Sequence, residues 1–298
     1  MILSKKSNKT KAVMLMLFSS LCFAAMGAFV KLALNLPTFE KAFFRNFISL
    51  IISVFVIAKS KMNPWGKKEN RKYLLGRSVF GTIGMLCYFY GIDRLILADS
   101  GMLNKIHPFF VTIFAAIFLK DKVTKKQIFS LVIAMIGVLL IIKPSFNFYQ
   151  SAPAFICFLS SVFAGAAYTF VSYLGDKENQ YTIVFNFSLV SSLITLPLLI
   201  TNFVMPSFEQ LIFLLLAGTT AAIAQFSLTI AYRYAPAGEV SIYNYSNVIF
   251  SSILGIVLFS ELPDYLSFIG YILIIGAGYV VFKYGKEKKL NTEVVKKC

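Results

Sequence analysis

The sequence predicts an all-α integral membrane protein in which ten transmembrane helices form two inverted five-helix repeats. Three observations support this prediction: the apolar composition, the spacing of the apolar runs and an internal repeat. Of the 298 residues, 58% are hydrophobic and only 14% are charged, whereas soluble domains average about 45–50% apolar and about 25% charged residues. With a mean hydropathy of +0.75, the chain does not have the composition of a soluble enzyme.

The chain contains apolar runs that are bounded by Lys, Arg, Pro, Asp or Glu. The length of each run is compared with that of a membrane span. A bilayer-spanning helix needs about 20 predominantly apolar residues. On this basis a tail over 1–11 precedes the first helix, and a basic tail over 284–298 follows the last. The predicted helices are 12–35, 39–58, 72–92, 98–119, 127–142, 152–174, 181–200, 210–231, 238–259 and 265–283.

The basic residues lie in alternate loops, which predicts the orientation of the chain. If the N-terminus is cytoplasmic, the cytoplasmic segments carry 22 Lys and Arg, and the opposite loops carry only Arg94 and Lys143. This positive-inside bias predicts a multi-pass protein of the plasma membrane with both termini in the cytoplasm. It also accounts for the net charge of +16 without a nucleic-acid partner.

An internal repeat relates the two halves of the chain. Residues 18–30 align with residues 159–171 at a shift of 141. Because a cleaved leader would have no reason to recur, the repeat predicts that the first helix is a membrane span rather than a signal peptide. The predicted repeats, 12–143 and 152–283, hold five helices each. Because five is odd, the second repeat enters the membrane from the opposite side and is inverted relative to the first. Inverted repeats build a site near the membrane midplane and permit alternating access, which predicts a transporter rather than an enzyme. At a shift of 140 the matched pairs are Asp99 with Glu239, Asn104 with Asn244, Asp121 with Glu261, and Lys143 with Lys283.

The stretch from Ala98 to Asp121, with Pro108 inside it, resembles the fourth-helix pattern of EamA proteins of the drug/metabolite transporter superfamily. Residues 235–261 resemble the second-half partner, and Arg45 stands where an Arg is usual in the second helix. The resemblance implies ten helices around a central cavity, and efflux or exchange of amino acids or other small metabolites, commonly coupled to an ion gradient. The sequence departs from the pattern at Asp121, where Glu is usual, and at His107, which precedes the proline.

Ionisable residues inside spans are costly and rare, so each is a candidate functional residue. The Arg45 guanidinium is able to hold a substrate carboxylate bidentately; alternatively it pairs with Glu40 or with helix-end carbonyls. His107 lies beside Pro108, which kinks the helix and frees a backbone carbonyl. It is a candidate proton relay, or a neutral histidine bonded to a neighbouring helix. Lys31 and Arg77 lie near span ends, where long side chains snorkel.

Two polar helix faces are predicted to meet at the interface between the repeats. Asn104 and His107 are three residues apart and share a face, and their repeat mates Asn244 and Asn247 have the same spacing. Tyr243 directly precedes Asn244. We therefore expect these five residues, together with Arg45, to bind the substrate. The alternative for the polar faces is interhelical hydrogen bonding.

The cargo is predicted from the charges of the spans. The first predicted helix has no carboxylate, and the deep charges are Arg45 and Lys105. A positive cavity favours an amino acid or related carboxylate, moved outward, with a proton as candidate coupling ion and with no cofactor or metal. One alternative is export of nucleobases, nucleosides or cationic compounds that stack on Tyr168, Tyr232, Tyr243 and Tyr245. A membrane-embedded lipid-processing enzyme is a distant alternative. A monomer or weak homodimer in the lipid bilayer is expected.

Overall fold

The computed structural model describes residues 2–118, 125–142, 148–174, 177–234 and 241–295. Over these ranges the chain forms helices joined by short turns, with no strand. Two short 3-10 helices occur, at Lys68–Asn70 and Ser241–Tyr245. The α-helices are α1 (Ile2–Leu32), α2 (Thr38–Ser60), α3 (Arg71–Ile92), α4 (Leu97–Asn104), α5 (His107–Phe118), α6 (Lys125–Ile142), α7 (Phe148–Leu174), α8 (Gln180–Thr201), α9 (Phe208–Tyr234), α10 (Ser246–Phe259) and α11 (Tyr265–Val295).

These elements form the ten predicted spans, and the predicted fold class is confirmed. The first repeat consists of α1, α2, α3, the pair α4/α5, and α6. The second consists of α7, α8, α9, the second 3-10 helix with α10, and α11. Within the described residues, five helices are long and apolar enough to cross a membrane on their own. They lie at 10–32, 38–60, 151–171, 180–201 and 208–228.

Helix boundaries differ from the sequence prediction in the fourth and ninth predicted helices and at both predicted tails. The predicted fourth helix is broken at Lys105 and Ile106, between α4 and α5. The predicted ninth helix begins at 238, outside the described residues, and its first described turn is a 3-10 helix rather than an α-helix. The predicted tails are helical in their described parts, because α1 begins at Ile2 and α11 continues to Val295.

The main helix contacts join one repeat to the other. Helix α1 packs against α9, and α3 packs against α7. If the two repeats are exchanged, the α1–α9 contact becomes the α7–α3 contact. In the same way, the α2–α9 contact becomes the α8–α3 contact. The pairs α2–α8 and α6–α11 are each converted into themselves. The contacts therefore follow the two-fold relation between inverted repeats, and the core lies between the halves.

The helices α6 and α11 approach each other backbone to backbone. A Cβ atom added to Gly270 would lie 2.7 Å from the carbonyl oxygen of Gly137, and one added to Gly137 would lie 2.9 Å from that of Gly270. Real Cβ atoms do not come so close to a backbone oxygen. Glycine at both positions therefore sets the separation of this pair, as small residues do in membrane helix packing.

A polar network ties the two repeats together at one end of the bundle. The Lys31 ammonium forms an ion pair with Glu261 and donates a hydrogen bond to the carbonyl oxygen of Leu95, 2.6 Å away. The other Glu261 oxygen accepts the backbone N–H of Leu97 at 2.9 Å, at the start of α4. This network links the ends of α1 and α10 to the turn between α3 and α4.

Candidate functional site

A central cavity of about 100 Å³ lies between the two repeats. Side chains from α1, α2, α3, α7, α8 and α9 line it, together with the break between α4 and α5 and the segment around the start of α10. Its lining is mixed, with aromatic rings between polar groups. The charged, amide and imidazole residues of the lining are Arg45, Arg77, Asn104, Lys105, His107, Gln225, Asn244 and Asn247.

Five of the six predicted substrate-binding residues line this cavity, namely Arg45, Asn104, His107, Asn244 and Asn247. Tyr243 does not, and its side chain is 36% exposed. The reason is the 3-10 helix that contains it. With three residues per turn, neighbouring side chains of such a helix point about 120° apart, so Asn244 and Tyr243 face different directions.

The break between α4 and α5 follows from Pro108. Proline has no N–H to donate to the carbonyl of the residue four positions earlier, which is Asn104. The Nδ1 atom of His107 lies 3.0 Å from this carbonyl oxygen. Because a carbonyl only accepts, Nδ1 carries the proton, and Nε2 remains as the acceptor of the neutral ring. The histidine thus satisfies the carbonyl that the proline leaves without its amide partner.

Three cations lie buried around the cavity. Arg45 is 5% exposed, Arg77 is 4% exposed and Lys105 is 7% exposed. None of them forms an ion pair with a carboxylate of the described residues. The expectation that Arg77 snorkels to the membrane surface was wrong, because its side chain turns into the bundle and lines the cavity.

The two guanidinium groups share one aromatic ring. The guanidinium carbon of Arg77 lies 4.3 Å from the centroid of Phe187, and that of Arg45 lies 5.5 Å from the same centroid. The two carbons are therefore separated by at most about 9.8 Å. Both distances are within the range of a cation–π interaction. Arg45 also donates to the Oδ1 atom of Asn46 at 2.6 Å.

Lys105 belongs to a second polar group of the cavity, which also contains Asn244, Asn247 and Ser20. Its Nζ donates to the Oδ1 atom of Asn244 at 3.2 Å, and the hydroxyl of Ser20 donates to the same atom at 3.2 Å. The Nδ2 atom of Asn247 donates to the backbone oxygen of Ser20 at 2.9 Å. The Oδ1 atom of Asn247 is buried without a partner in the described part of the protein.

The two repeats contribute matching contacts to the site. Asn104 donates to the Ser160 hydroxyl at 3.0 Å, while its repeat mate Asn244 accepts from Ser20. The Ser-Ser pairs at 19–20 and 160–161 occupy aligned positions in the internal repeat. In each repeat an asparagine therefore meets a serine on the first helix of the other repeat. These bonds hold the polar faces together. The same residues therefore both form hydrogen bonds between helices and line the cavity, which were the two alternatives for these faces.

Tyr168 completes the lining between two of these groups. Its ring centroid lies 4.9 Å from that of His107 and 5.7 Å from the guanidinium carbon of Arg77. Of the other tyrosines considered for stacking, Tyr245 is buried outside the cavity, against the position of Gly278. The side chain of Tyr232 lies outside the described residues.

Two inverted five-helix repeats around a polar cavity are an architecture that transporters use. The model of the EamA-like transporter family matches residues 10–143 and 152–283. The chain belongs to the EamA-like transporter family, a family of multi-pass membrane proteins.

Known proteins of similar sequence are transporters of different cargo and direction. The chain is 34% identical to the pseudopaline exporter CntI of Pseudomonas aeruginosa, over 89% of this chain and 93% of that protein. It is 23% identical to the S-adenosylmethionine uptake transporter of Rickettsia bellii, over 88% and 89% of the two chains. A solved crystal structure superposes with a TM-score of 0.67 at 14% identity, over 93% and 98% of the chains, and shows a shared fold.

Proposed function

We propose that this protein is a secondary active transporter that moves an amino acid or a related small carboxylate outward across the plasma membrane. The observation that carries the proposal is the set of three buried cations, Arg45, Arg77 and Lys105, without a described carboxylate partner. Burying an unpaired charge is costly. An anionic cargo offsets that cost, whereas a cationic cargo adds to the repulsion.

Each of the five predicted binding residues that line the cavity has a role that its position supports. Arg45 presents a guanidinium fork that suits a carboxylate, and its Nε atom is buried without a partner among the described residues. Asn104, Asn244 and Asn247 supply amide groups for the polar atoms of the cargo. His107 keeps Nε2 as an acceptor, which suits a coupling proton or a cargo N–H group.

The size of the cavity supports alternating access. Ligand pockets usually measure about 300–1,000 Å³, and this cavity measures about 100 Å³. Loading a metabolite therefore requires the repeats to move apart. The similarity to a pseudopaline exporter supports outward movement, and the loop charges support cytoplasmic termini.

A ligand screen followed by a flux assay tests the proposal. Thermal unfolding of the detergent-purified protein is measured with amino acids, organic acids, nucleobases, nucleosides and polyamines. A ligand at 100 times its Kd stabilises a protein by about 2.7 kcal/mol. We expect stabilisation by carboxylates that Arg45→Gln abolishes and that Arg94→Gln, in the exposed turn after α3, leaves intact. Counterflow of the radiolabelled ligand into proteoliposomes then measures transport.

The same assay measures coupling and direction. Counterflow with and without an imposed pH gradient, in wild type and His107→Gln, tests the proton as coupling ion. Orienting the protein in the vesicles by its termini gives the direction of net flux. Stabilisation confined to polyamines or nucleobases contradicts the carboxylate proposal.

One observation supports a second candidate cargo, a nucleoside or a nucleoside-containing compound. Tyr168 lines the cavity beside His107 and offers a ring on which a base can stack. The similarity to an S-adenosylmethionine uptake transporter points in the same direction. In this case Tyr168→Leu removes the ligand response and Arg45→Gln does not.

A further inference from the structure

Building on the proposed function, we propose that Arg45 and Arg77 together select a cargo with two acid groups, and that Arg77 is the residue that determines this selectivity. The cargo class is then a di- or tricarboxylate, or an amino acid with a second acid group, rather than a monocarboxylate.

Arg77 has the features of a ligand-binding group rather than of a satisfied structural arginine. It lines the cavity and is 4% exposed, yet it forms no hydrogen bond with any described residue, and its Nε atom is buried without a partner. A guanidinium carries five N–H donors in a planar fork. Its guanidinium carbon lies 4.3 Å from the Phe187 centroid and 5.7 Å from the Tyr168 centroid. Neither contact is a hydrogen bond, so the N–H donors remain available.

The position of the Arg77 guanidinium depends on Gly81, one helical turn later in α3. A Cβ atom at position 81 would lie 2.2 Å from an Nη atom of Arg77 and 2.9 Å from the ring of Phe187. The absence of a side chain at this position therefore leaves the space in which the guanidinium lies. Glycine is unfavourable inside a helix by about 0.8–1.0 kcal/mol relative to alanine. A ligand-binding role for the Arg77 guanidinium accounts for glycine at position 81 in spite of this loss of helix stability.

Two acid groups follow from the pairing of the cations. Arg45 and Arg77 are held within about 9.8 Å of each other through Phe187, and no described carboxylate lies between them. In a site of low dielectric constant these like charges repel. A monoacid that pairs with Arg45 leaves Arg77 uncompensated, whereas a diacid pairs with both.

Lys105 differs from Arg77, which forms no hydrogen bond with any described residue. Its Nζ already donates to Asn244 and lies 5.3 Å from the ring centroid of Phe23. Its remaining donors suit a further carboxylate or a neutral oxygen. The arginine pair is therefore the part of the cavity that distinguishes a diacid from a monoacid.

Matched pairs of diacids and their monoamides test this inference. Glutamate is compared with glutamine, aspartate with asparagine, and glutarate with its monoamide, by competition binding and thermal unfolding of the purified full-length protein. In at least one pair we expect the diacid to bind about tenfold more tightly, because hydrogen bonds to charged groups are worth this much.

The variants assign the preference to Arg77. In Arg77→Gln the diacid and the monoamide should bind equally, with monoamide binding retained. Arg77→Lys keeps the charge without the planar fork and should keep part of the preference. Gly81→Ala keeps the arginine and displaces its guanidinium, so the preference should fall here too. Gly276→Ala and Arg94→Gln are the controls, since position 276 has nothing within 4 Å of an added Cβ.

The outcomes separate this inference from the proposed function. If each monoamide that binds the wild type binds as tightly as its diacid, the two-acid inference is wrong and the carboxylate function stands. If a diacid preference survives in Arg77→Gln, the assignment to Arg77 is wrong. If no acid binds the wild type, both proposals fail together. The wild-type comparison decides the matter even if the arginine variants do not fold.

Discussion

Alanine at Gly270 should destabilise the contact between α6 and α11. Its Cβ would lie 2.7 Å from the carbonyl oxygen of Gly137 and 2.8 Å from the Cγ1 atom of Ile141. The first of these is a backbone atom, so the helices themselves must move. Overpacking of this kind costs about 1–3 kcal/mol, and the gain in helix propensity returns about 1 kcal/mol. Because a backbone is involved, we take the upper part of the range and expect a net loss of about 2 kcal/mol.

Thermal unfolding monitored with a thiol-reactive dye measures this loss. Cys22 and Cys157 are free and buried, so they react only when the bundle opens. A background with Cys87→Ser and Cys298→Ser removes the half-buried thiol of Cys87 and the C-terminal thiol. A loss of about 2 kcal/mol corresponds to a fall in Tm of about 3 °C for a chain of this length. Gly276→Ala on the same helix is the matched control, because its added Cβ meets nothing within 4 Å.

The comparison has a clear refuting result. Alanine at the control position should leave the Tm unchanged or raise it slightly, through helix propensity. If Gly270→Ala behaves in the same way, the separation of α6 and α11 does not depend on the glycine contact. The argument from backbone approach is then wrong.

Three further predictions concern polar contacts outside the cavity. Lys31→Met or Glu261→Gln alone should cost about 1–3 kcal/mol by leaving one charge unpaired, and the double variant should cost less than the two singles combined; a strictly additive Tm contradicts the pairing. Tyr271→Phe removes a 2.5 Å hydrogen bond to Asp99 and should cost about 1.5–3 kcal/mol, so an unchanged Tm contradicts that bond. Glu178→Ala removes two hydrogen bonds accepted from the segment between α2 and α3. Trypsin should then cut this segment about fivefold faster, and equal rates would contradict the role.

The sequence was sufficient to predict the parts of the site that follow from symmetry. Asn104 and His107 share a face because they are three residues apart, and Asn244 and Asn247 repeat that spacing in the second half. All four line the cavity. Their position at the cavity was predictable because helical periodicity and an internal repeat together determine which faces lie at the interface between the repeats; their part in binding stays a prediction.

Arg77 and Phe187 were missed because their roles depend on contacts between distant elements. Position alone places Arg77 in the second turn of α3, where a long side chain normally reaches the membrane surface. Its inward direction depends on the space left by Gly81 and on a ring from α8. Phe187 is one of 31 phenylalanines, and no local signal distinguishes it from a lipid-facing residue.

Tyr243 was assigned to the cavity because it adjoins Asn244, on the assumption that the segment is α-helical. Even in an α-helix, adjacent residues point about 100° apart, so adjacency was a weak argument. The 3-10 geometry of Ser241–Tyr245 turns the tyrosine outward. Hydrophobic periodicity does not distinguish a single 3-10 turn from the start of an α-helix, so this boundary was beyond the reach of the sequence.

The dominance of contacts between the repeats has a consequence for biosynthesis. Phe187 follows Arg77 by 110 residues, and chains are synthesised at about 5–20 residues per second. Arg77 is therefore synthesised about 5–20 seconds before the ring that contacts its guanidinium exists. Of the helices that pack on the first repeat, α7 is completed only late in that interval and α9 only after it. The newly inserted half must keep its cations hydrated or shielded by the insertion machinery, and the native bundle closes only after the ribosome has completed the second half.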